Sequence, residues 1–401
     1  MFLSDIINII DCDVFIKDRK IKKIKTDSRL LDKGDLFICI NSGYKYIEDA
    51  IKRGVSAIIV DRDIKLDTDI PIIKVKDSII VLGKIAKYIR NQYKGVVIAI
   101  TGSNGKTTTK ELLSHVLGKK NKVLKSVGSD NNHIGVPNTI LNLDNSYDYL
   151  VIELGTNHPG EIKYLTNIVK PDIAIITNIG NAHIGNFGSI ESILQEKLQI
   201  KDTNTILFVN GEDDYLKTTD SIKVYRNDYS FKSSISHYQM NYNLVFKVCE
   251  YLGYNTEDII KCTKNFKSSE SRMDTIVIND ITIIDDSYNA SYESVIGGLD
   301  YIKEYNRKII VLGDMLELGE FSKKLHTLIK KKIDMMDNTI LLTIGNDIKV
   351  INNDRYFSNL EDLENYLSNF NYKKGDVVYL KGAHSMNLYT LVPLLKSILQ
   401  K

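Results

Sequence analysis

Residues Val96–Lys110 read VVIAITGSNGKTTTK: a short apolar, β-branched run, a turn of small residues, then the start of a helical pattern. A buried strand that passes through a glycine-containing turn into a helix N-terminus gathers backbone N–H groups and the positive end of the helix dipole at one point. That arrangement suits bound phosphate. Lys106 can then reach phosphate oxygens, and the Thr107 hydroxyl can ligate Mg²⁺. The general P-loop pattern has a glycine five residues before its Gly-Lys pair; here Ile100 holds that place, and Gly102 stands three residues before Gly105 instead. Gly102, Ser103, Asn104, Gly105, Lys106, Thr107 and Thr108 are therefore the candidates for holding a nucleotide.

On either side of this stretch the chain is too long for one core: 401 residues predict two or three domains. The 26% charged and 43% hydrophobic residues are ordinary for a water-soluble chain. With 53 Lys+Arg against 51 Asp+Glu the formal charge is +2, which offers no basic field for nucleic acid. The opening MFLSDIINIIDCDVF carries acids where a signal peptide has its basic region, and no run reaches the roughly 20 apolar residues needed to span a bilayer. Cys12, Cys39, Cys249 and Cys262 are scattered, with no C-x-x-C pair. A reducing cytoplasm is the expected location.

Before the P-loop, DLFICI, AIIV and PIIKV read as strands between helical patterns at Ile47–Arg53 and Ile79–Arg90, a small α/β unit. From Gly95 to about Met273, the runs VVIAI, KVLK, YLVIEL, DIAIIT and TILFV alternate with helices. This predicts a mostly parallel, doubly wound sheet with ligands at the carboxyl ends of its strands. Most residues with chemistry to offer fall at or just after those ends. Asn131 and Asn132 offer uncharged amides that can orient a peptide or phosphoryl oxygen, and Glu153 is a carboxylate placed to ligate a metal. Asn178 and His183 follow the next strand. In the last portion, two strands meet at Asn279-Asp280 as a hairpin.

Several motifs stand in order: TGSNGKTT; NNHIGVPNT from Asn131; HPGEI from His158; NIGNAH ending at His183; the helical SILQEKLQI with Lys197; HYQMN from His237 to Asn241; ESRMD with Arg272; DDSYNA from Asp285; and KGAHSM with His384. Together they resemble the Mur ligase superfamily, closest to its MurF branch, over nearly the whole chain. The resemblance implies an α/β, three-domain architecture. A small N-terminal domain binding a UDP precursor (1–93) would precede a central doubly wound P-loop domain (94–273) and a Rossmann-like C-terminal domain (274–401). It implies an ATP-dependent, ADP-forming ligase that joins D-alanyl-D-alanine to UDP-MurNAc-tripeptide through an acyl phosphate. A ligase of the same chemistry with another acyl acceptor stays open. NSGYKY stands where a glycine-rich Asp-Gly-His stretch is usual, the central insert is short, Ser291-Tyr292 replaces Asn-Pro, and His384 replaces an arginine.

The resemblance also assigns roles. Thr107, Glu153, His183 and Lys197 would hold two Mg²⁺ ions, with Lys197 carbamylated by CO₂. Asn241 would hydrogen-bond adenine, Arg272 would contact the nucleotide, and Asp286 would bind ribose. Ser28 and Arg29 of TDSR would grip the UDP end; Asn131, Asn132, His158, Tyr288, Asn289 and His384 would face the substrates. Catalysis would rest on Lys106, Asn132, His183 and Lys197. The expected partners are small molecules, a nucleotide-sugar peptide and D-Ala-D-Ala, with a monomer acting alone and the C-terminal domain closing over the site.

Overall fold

The run Val96–Thr101 becomes the strand around which the middle of the molecule is wound. In this computed structural model, residues 1–400 are described apart from 13, 15, 230–235, 265 and 267–270, together with the side chains of 236 and 237. The side chain of His237, expected at a helix start, therefore lies outside the described residues.

Three sheets succeed one another along the chain. β1 (Ile24–Lys25), β2 (Leu36–Ile38), β3 (Ala57–Val60) and β4 (Ile72–Lys74) pair in parallel in sequence order. The middle sheet holds β5 (Val96–Thr101), β6 (Val123–Lys125), β7 (Tyr149–Glu153), β8 (Ile173–Ile176), β9 (Ile206–Asn210) and β10 (Ile222–Val224). Its order is β10-β9-β8-β5-β7-β6, all parallel. From β5 the chain fills one side of the sheet and then crosses to the other, so the strand order reverses beside β5. At such a switch point the loops at the carboxyl ends splay apart and open a crevice. The Gly102–Gly105 turn stands there. The third sheet comprises β11 (Asp274–Ile278), β12 (Ile281–Asp285), β13 (Arg307–Gly313), β14 (Thr339–Ile344), β15 (Tyr356–Phe357) and β16 (Asp376–Lys381), in the order β11-β12-β16-β13-β14-β15. It is parallel except where β11 and β12 form the expected hairpin. Asn279 and Asp280 both take positive φ, 49° and 63°, the backbone of a two-residue turn whose twist matches its strands.

These strands are apolar on both faces because helices cover both faces. The helix Ser78–Gln92 starts where the Asp77 carboxylate accepts from the N–H groups of Ile79 and Ile80. It also ties the first unit to the second: Arg90 Nε donates to the Val169 carbonyl at 2.7 Å and Nη2 to that of Lys170 at 2.8 Å. The largest buried apolar cluster runs from the middle sheet, with Val97 and Ile152, into the third, with Ile310 and Tyr379. Among the described residues no helix is long and apolar enough to cross a membrane, and all four cysteines are free.

Candidate active site

The turn after β5 is held open by its neighbours rather than by its own side chains. Gly102 has φ +147°, and a Cβ there would lie 1.9 Å from Thr177 Oγ1. Gly105 has φ +80°, and a Cβ there would lie 2.8 Å from the Asn241 amide. Only glycine lets the backbone approach so closely at either place. Between them the loop is stitched to the end of β8. The N–H of Asn104 donates to Asn178 Oδ1 at 3.0 Å, and the N–H of Gly180 donates to Ser103 Oγ at 2.8 Å. The helix Lys106–Leu117 then begins with no side-chain cap. Bare N–H groups at a helix N-terminus over two glycines form a cradle that fits the phosphates of a nucleotide.

Lys106 Nζ donates to the carbonyls of Gly102 and Ser103, at 2.8 and 3.3 Å. Burial lowers its pKa. Thr107 Oγ1 donates to Glu153 Oε2 at 2.8 Å, and Asn131 Nδ2 donates to Glu153 Oε1 at 2.8 Å. A hydroxyl and a carboxylate meeting beside a phosphate cradle are the hard oxygen donors that suit Mg²⁺, so Thr107 and Glu153 are the residues that would hold it. Among the described residues no three acidic, histidine or cysteine side chains converge on one point, so a fuller protein cage is absent there.

Beyond this cradle the expected residues divide. A cleft of about 560 Å³ is lined by the Ser103–Thr108 turn, Asn131, Glu153, His183, Asn241, Arg272, Asp286, Tyr288, Asn289 and His384. His183, at φ 62°, places Nδ1 against the Glu317 carboxylate, and this contact holds the Glu317 pKa below its usual range. Arg272 lays its guanidinium 3.8 Å from the Tyr288 ring centroid and donates from Nη2 to Thr107 Oγ1 at 3.2 Å. Asp286 accepts from Tyr379 Oη at 2.9 Å and stands 2.7 Å from Lys381 Nζ. His384 lies beside Tyr288, ring centroids 5.4 Å apart, and stacks on Tyr389 at 5.8 Å.

Other expected residues lie elsewhere. Ser28 and Arg29 sit on a short 3₁₀ turn of the first unit, where Arg29 pairs with Asp27 and stays exposed. Asn132 Oδ1 accepts from the N–H groups of Ile134 and Gly135, so it caps its own turn. His158 is exposed, 3.7 Å from Glu161. Lys197 is 3% exposed on the helix Ile190–Leu198, and among the described residues no hydrogen bond to its amine is found. Burial, then the nearby charge of Lys106, bring its pKa down to about 7 against the pull of Glu196.

The third unit also reaches this site through contacts that the sequence did not reveal. Ser291 Oγ donates to Asn104 Oδ1 at 2.7 Å, and Glu293 Oε1 accepts from the N–H and Nδ2 of Asn181 at 2.8 and 2.7 Å. The hydroxyls of Ser129 and Tyr288 touch across the same gap. Lys381 ends β16 as Glu153 ends β7, so the strand-end rule that singled out Glu153 would have found it too. Glu317 sits in the loop after β13, within the stretch KIIVLGDMLELGEFSKKLH, to which the sequence assigns no site residue.

Comparison with known proteins agrees with this layout. Residues 100–258 match the Mur ligase middle domain, and residues 271–384 match the Mur ligase, glutamate ligase domain. The UDP-N-acetylmuramoyl-tripeptide--D-alanyl-D-alanine ligase of Rickettsia prowazekii is 30% identical over 92% of this chain and 94% of its own. That of Bacillus subtilis is 30% identical over 92% of each. A crystal structure of MurF from Acinetobacter baumannii superposes with a TM-score of 0.85 at 26% identity, covering 99% of this chain and 98% of its own. MurF ligase from Thermotoga maritima in complex with ADP superposes with a TM-score of 0.83 at 25% identity over 94% and 98%. With a phosphate cradle at the switch point, a hydroxyl–carboxylate pair beside it, and full-length relatives of one kind, the chain belongs to the Mur ligase family.

Proposed function

We propose that this chain joins D-alanyl-D-alanine to UDP-N-acetylmuramoyl-tripeptide, consuming ATP and releasing ADP and phosphate. The observation that carries this reading is the Thr107–Glu153 pair at the foot of a cleft roofed by the third unit. A carboxylate is a poor electrophile in water, so amide formation needs it converted first to an acyl phosphate. Mg²⁺-ATP supplies the phosphoryl group and the countercharge for that step.

The chain's own residues position and shield. The N–H groups of the Gly102–Gly105 turn and Lys106 hold the phosphates, while Thr107 and Glu153 present oxygens to the metal. Asn241, packed over Gly105, and Arg272, stacked on Tyr288, border the nucleotide, and Asp286 faces its ribose. His183 approaches from the β8 side. Lys197 would offer a further oxygen to the metal only as a carbamate: an amine whose pKa lies near 7 is substantially neutral, and only a neutral amine reacts with CO₂ to form one. The contacts from Ser291, Glu293 and Glu317 exclude water that would hydrolyse the acyl phosphate. Tyr288, Asn289 and His384, on the third unit, face the incoming amine, with Asn131 on the opposite wall. Residues 1–93, 94–273 and 274–401 act as precursor-binding, nucleotide-binding and closing domains, in the cytoplasm.

The test is phosphate release by the purified protein with UDP-N-acetylmuramoyl-tripeptide, D-Ala-D-Ala and ATP, beside a panel of other acids and amines. Release that depends on the murein pair supports the reading. Release only with another pair redirects the substrate assignment, and release with none refutes it.

A further inference from the structure

A second cavity, of about 250 Å³, adjoins the large cleft. The two share Gly155, two residues beyond Glu153. Its walls are Asn132, His133, Pro159, Glu161, Tyr164 and Leu165. On its far side it meets the first unit: a Cβ at Gly83 would lie 2.3 Å from the Tyr164 hydroxyl, so the helix Ser78–Gln92 rests directly on this ring. The cavity therefore lies on the seam between the unit carrying Ser28 and Arg29 and the carboxylate end of β7. A substrate anchored on the first unit and reacting beside Glu153 would cross this seam.

Its chemistry is amphiphilic. Pro159, Leu165 and the Tyr164 ring offer apolar wall, and Glu161 brings the acidic side chain. Although burial opposes it, the N–H groups of Asn157 and His158, donating to Glu161 Oε2 at 2.6 and 3.0 Å, hold this carboxyl below its usual range, so it is ionised. The other titratable groups near it are the Tyr164 phenol and His133 on the wall, His158 3.7 Å from Oε1, and the Glu196 carboxylate behind the helix start. The helix N-terminus here is already satisfied, since Glu196 accepts from the N–H groups of Gly160 and Ile162 at 2.7 Å each. That leaves no backbone anion site. Charge and shape suit a side chain with an aliphatic body and a cationic end.

We infer that this cavity receives the side chain of the acceptor residue whose carboxylate is activated, and that Glu161 selects one ending in an ammonium group. The inference rests on the proposed reaction, because it takes the activated carboxylate to lie beside Glu153. Glu161 is then a specificity-determining residue for the third position of the acceptor peptide.

The experiment compares three UDP-linked tripeptides ending in lysine, norleucine and glutamate, with wild type and Glu161→Gln. The glutamine amide oxygen still accepts from Asn157 and His158, and ADP binding by calorimetry verifies that the variant is folded. For wild type, kcat/KM with the lysine acceptor exceeds that with norleucine by roughly tenfold to a hundredfold, the range of one charge-assisted contact. Glutamate is worse still. In Glu161→Gln the lysine advantage shrinks to within about threefold, through loss on the lysine acceptor. Lysine and norleucine acceptors used equally by wild type overturn the inference alone, as does a variant that keeps the full preference. Turnover with none of the three overturns the proposed reaction and this inference with it.

Discussion

Thr107 Oγ1 donates a 2.8 Å hydrogen bond to Glu153 Oε2, joining the first turn of the P-loop helix to the last residue of β7. Two oxygens brought together by a helix start and a strand end define where a metal can stand relative to the phosphate cradle. Glu153→Gln keeps the size and one of the two accepted hydrogen bonds but removes the charge. Turnover should fall by on the order of a hundredfold and the Mg²⁺ concentration for half-activity should rise. A magnesium titration of the variant checks this; an unchanged midpoint removes Glu153 from the metal.

Lys110 stands one turn further along the same helix and is fully buried. Its Nζ donates to the carbonyls of Ser126 and Gly128, at 2.8 and 2.6 Å. Ser126 Oγ in turn accepts the Glu153 N–H at 3.2 Å, and the same loop carries Asn131 onto the Glu153 carboxylate. Lys110 is thus a positioning residue. Lys110→Met leaves two buried carbonyls unpaired, at a cost of about 1–3 kcal/mol in stability. It should also weaken Mg²⁺ dependence about tenfold to a hundredfold, as loss of an outer-shell partner does. Urea unfolding and the magnesium midpoint are read together, and a stability loss without a magnesium shift marks the role as merely structural.

Glu293 holds the third unit against the second through two hydrogen bonds to Asn181. Glu293→Ala should bias the cleft open by roughly 1–2 kcal/mol, a fivefold to thirtyfold change in population. The expected signs are a larger radius of gyration in small-angle scattering with ADP bound and a raised KM for ATP. A scattering curve identical to wild type argues that the clasp carries no weight.

Much of this was readable in the sequence, and the limit is physical. Strands such as Ala57–Val60 and Val96–Thr101 are short β-branched runs with turn residues at both ends, so their period announces them. The Asn279-Asp280 turn is local chemistry and came out as expected. What stayed hidden depends on contacts across long separations. Glu317 meets His183 from 134 residues away, and no local pattern marks such a pairing. Lys110 reads as an ordinary helix lysine until the loop that covers it is known. Asn132 reads as a substrate ligand, and only the structure shows that its oxygen also caps its own turn, because an Asx side chain satisfies nearby N–H groups at little entropic cost.

The amine of Lys197 gives a pH dependence with a definite sign. With a pKa of about 7 it is mostly charged at pH 6 and mostly neutral at pH 8. Carbamate forms from the neutral amine, so the modified fraction should rise with pH through 7. Carbon-13 NMR with labelled bicarbonate reads the carbamate directly, and Lys197→Ala should lose that signal and turnover while still binding ADP. Turnover close to wild type in the alanine variant would falsify the carbamate role.

His326 predicts how the protein meets acid. It is 1% exposed, with Nε2 accepting the Met315 N–H at 3.2 Å and Nδ1 placed 2.9 Å from the Ser322 carbonyl. Those partners suit a neutral ring with its proton on Nδ1, and a second proton would be driven against the Met315 N–H. Burial, first of the causes, lowers the folded-state pKa below the unfolded value near 6.5. The unfolded chain therefore takes up a proton that the folded chain refuses. Stability is complete above that value and falls as pH drops through it toward the folded pKa. Met315 begins the loop that delivers Glu317 to His183, so the acid-sensitive contact underlies one wall of the cleft. Urea midpoints at pH 7.5 and 5.5 should fall further for wild type than for His326→Gln, whose side chain takes no proton. Equal losses in the two proteins would place the acid sensitivity elsewhere.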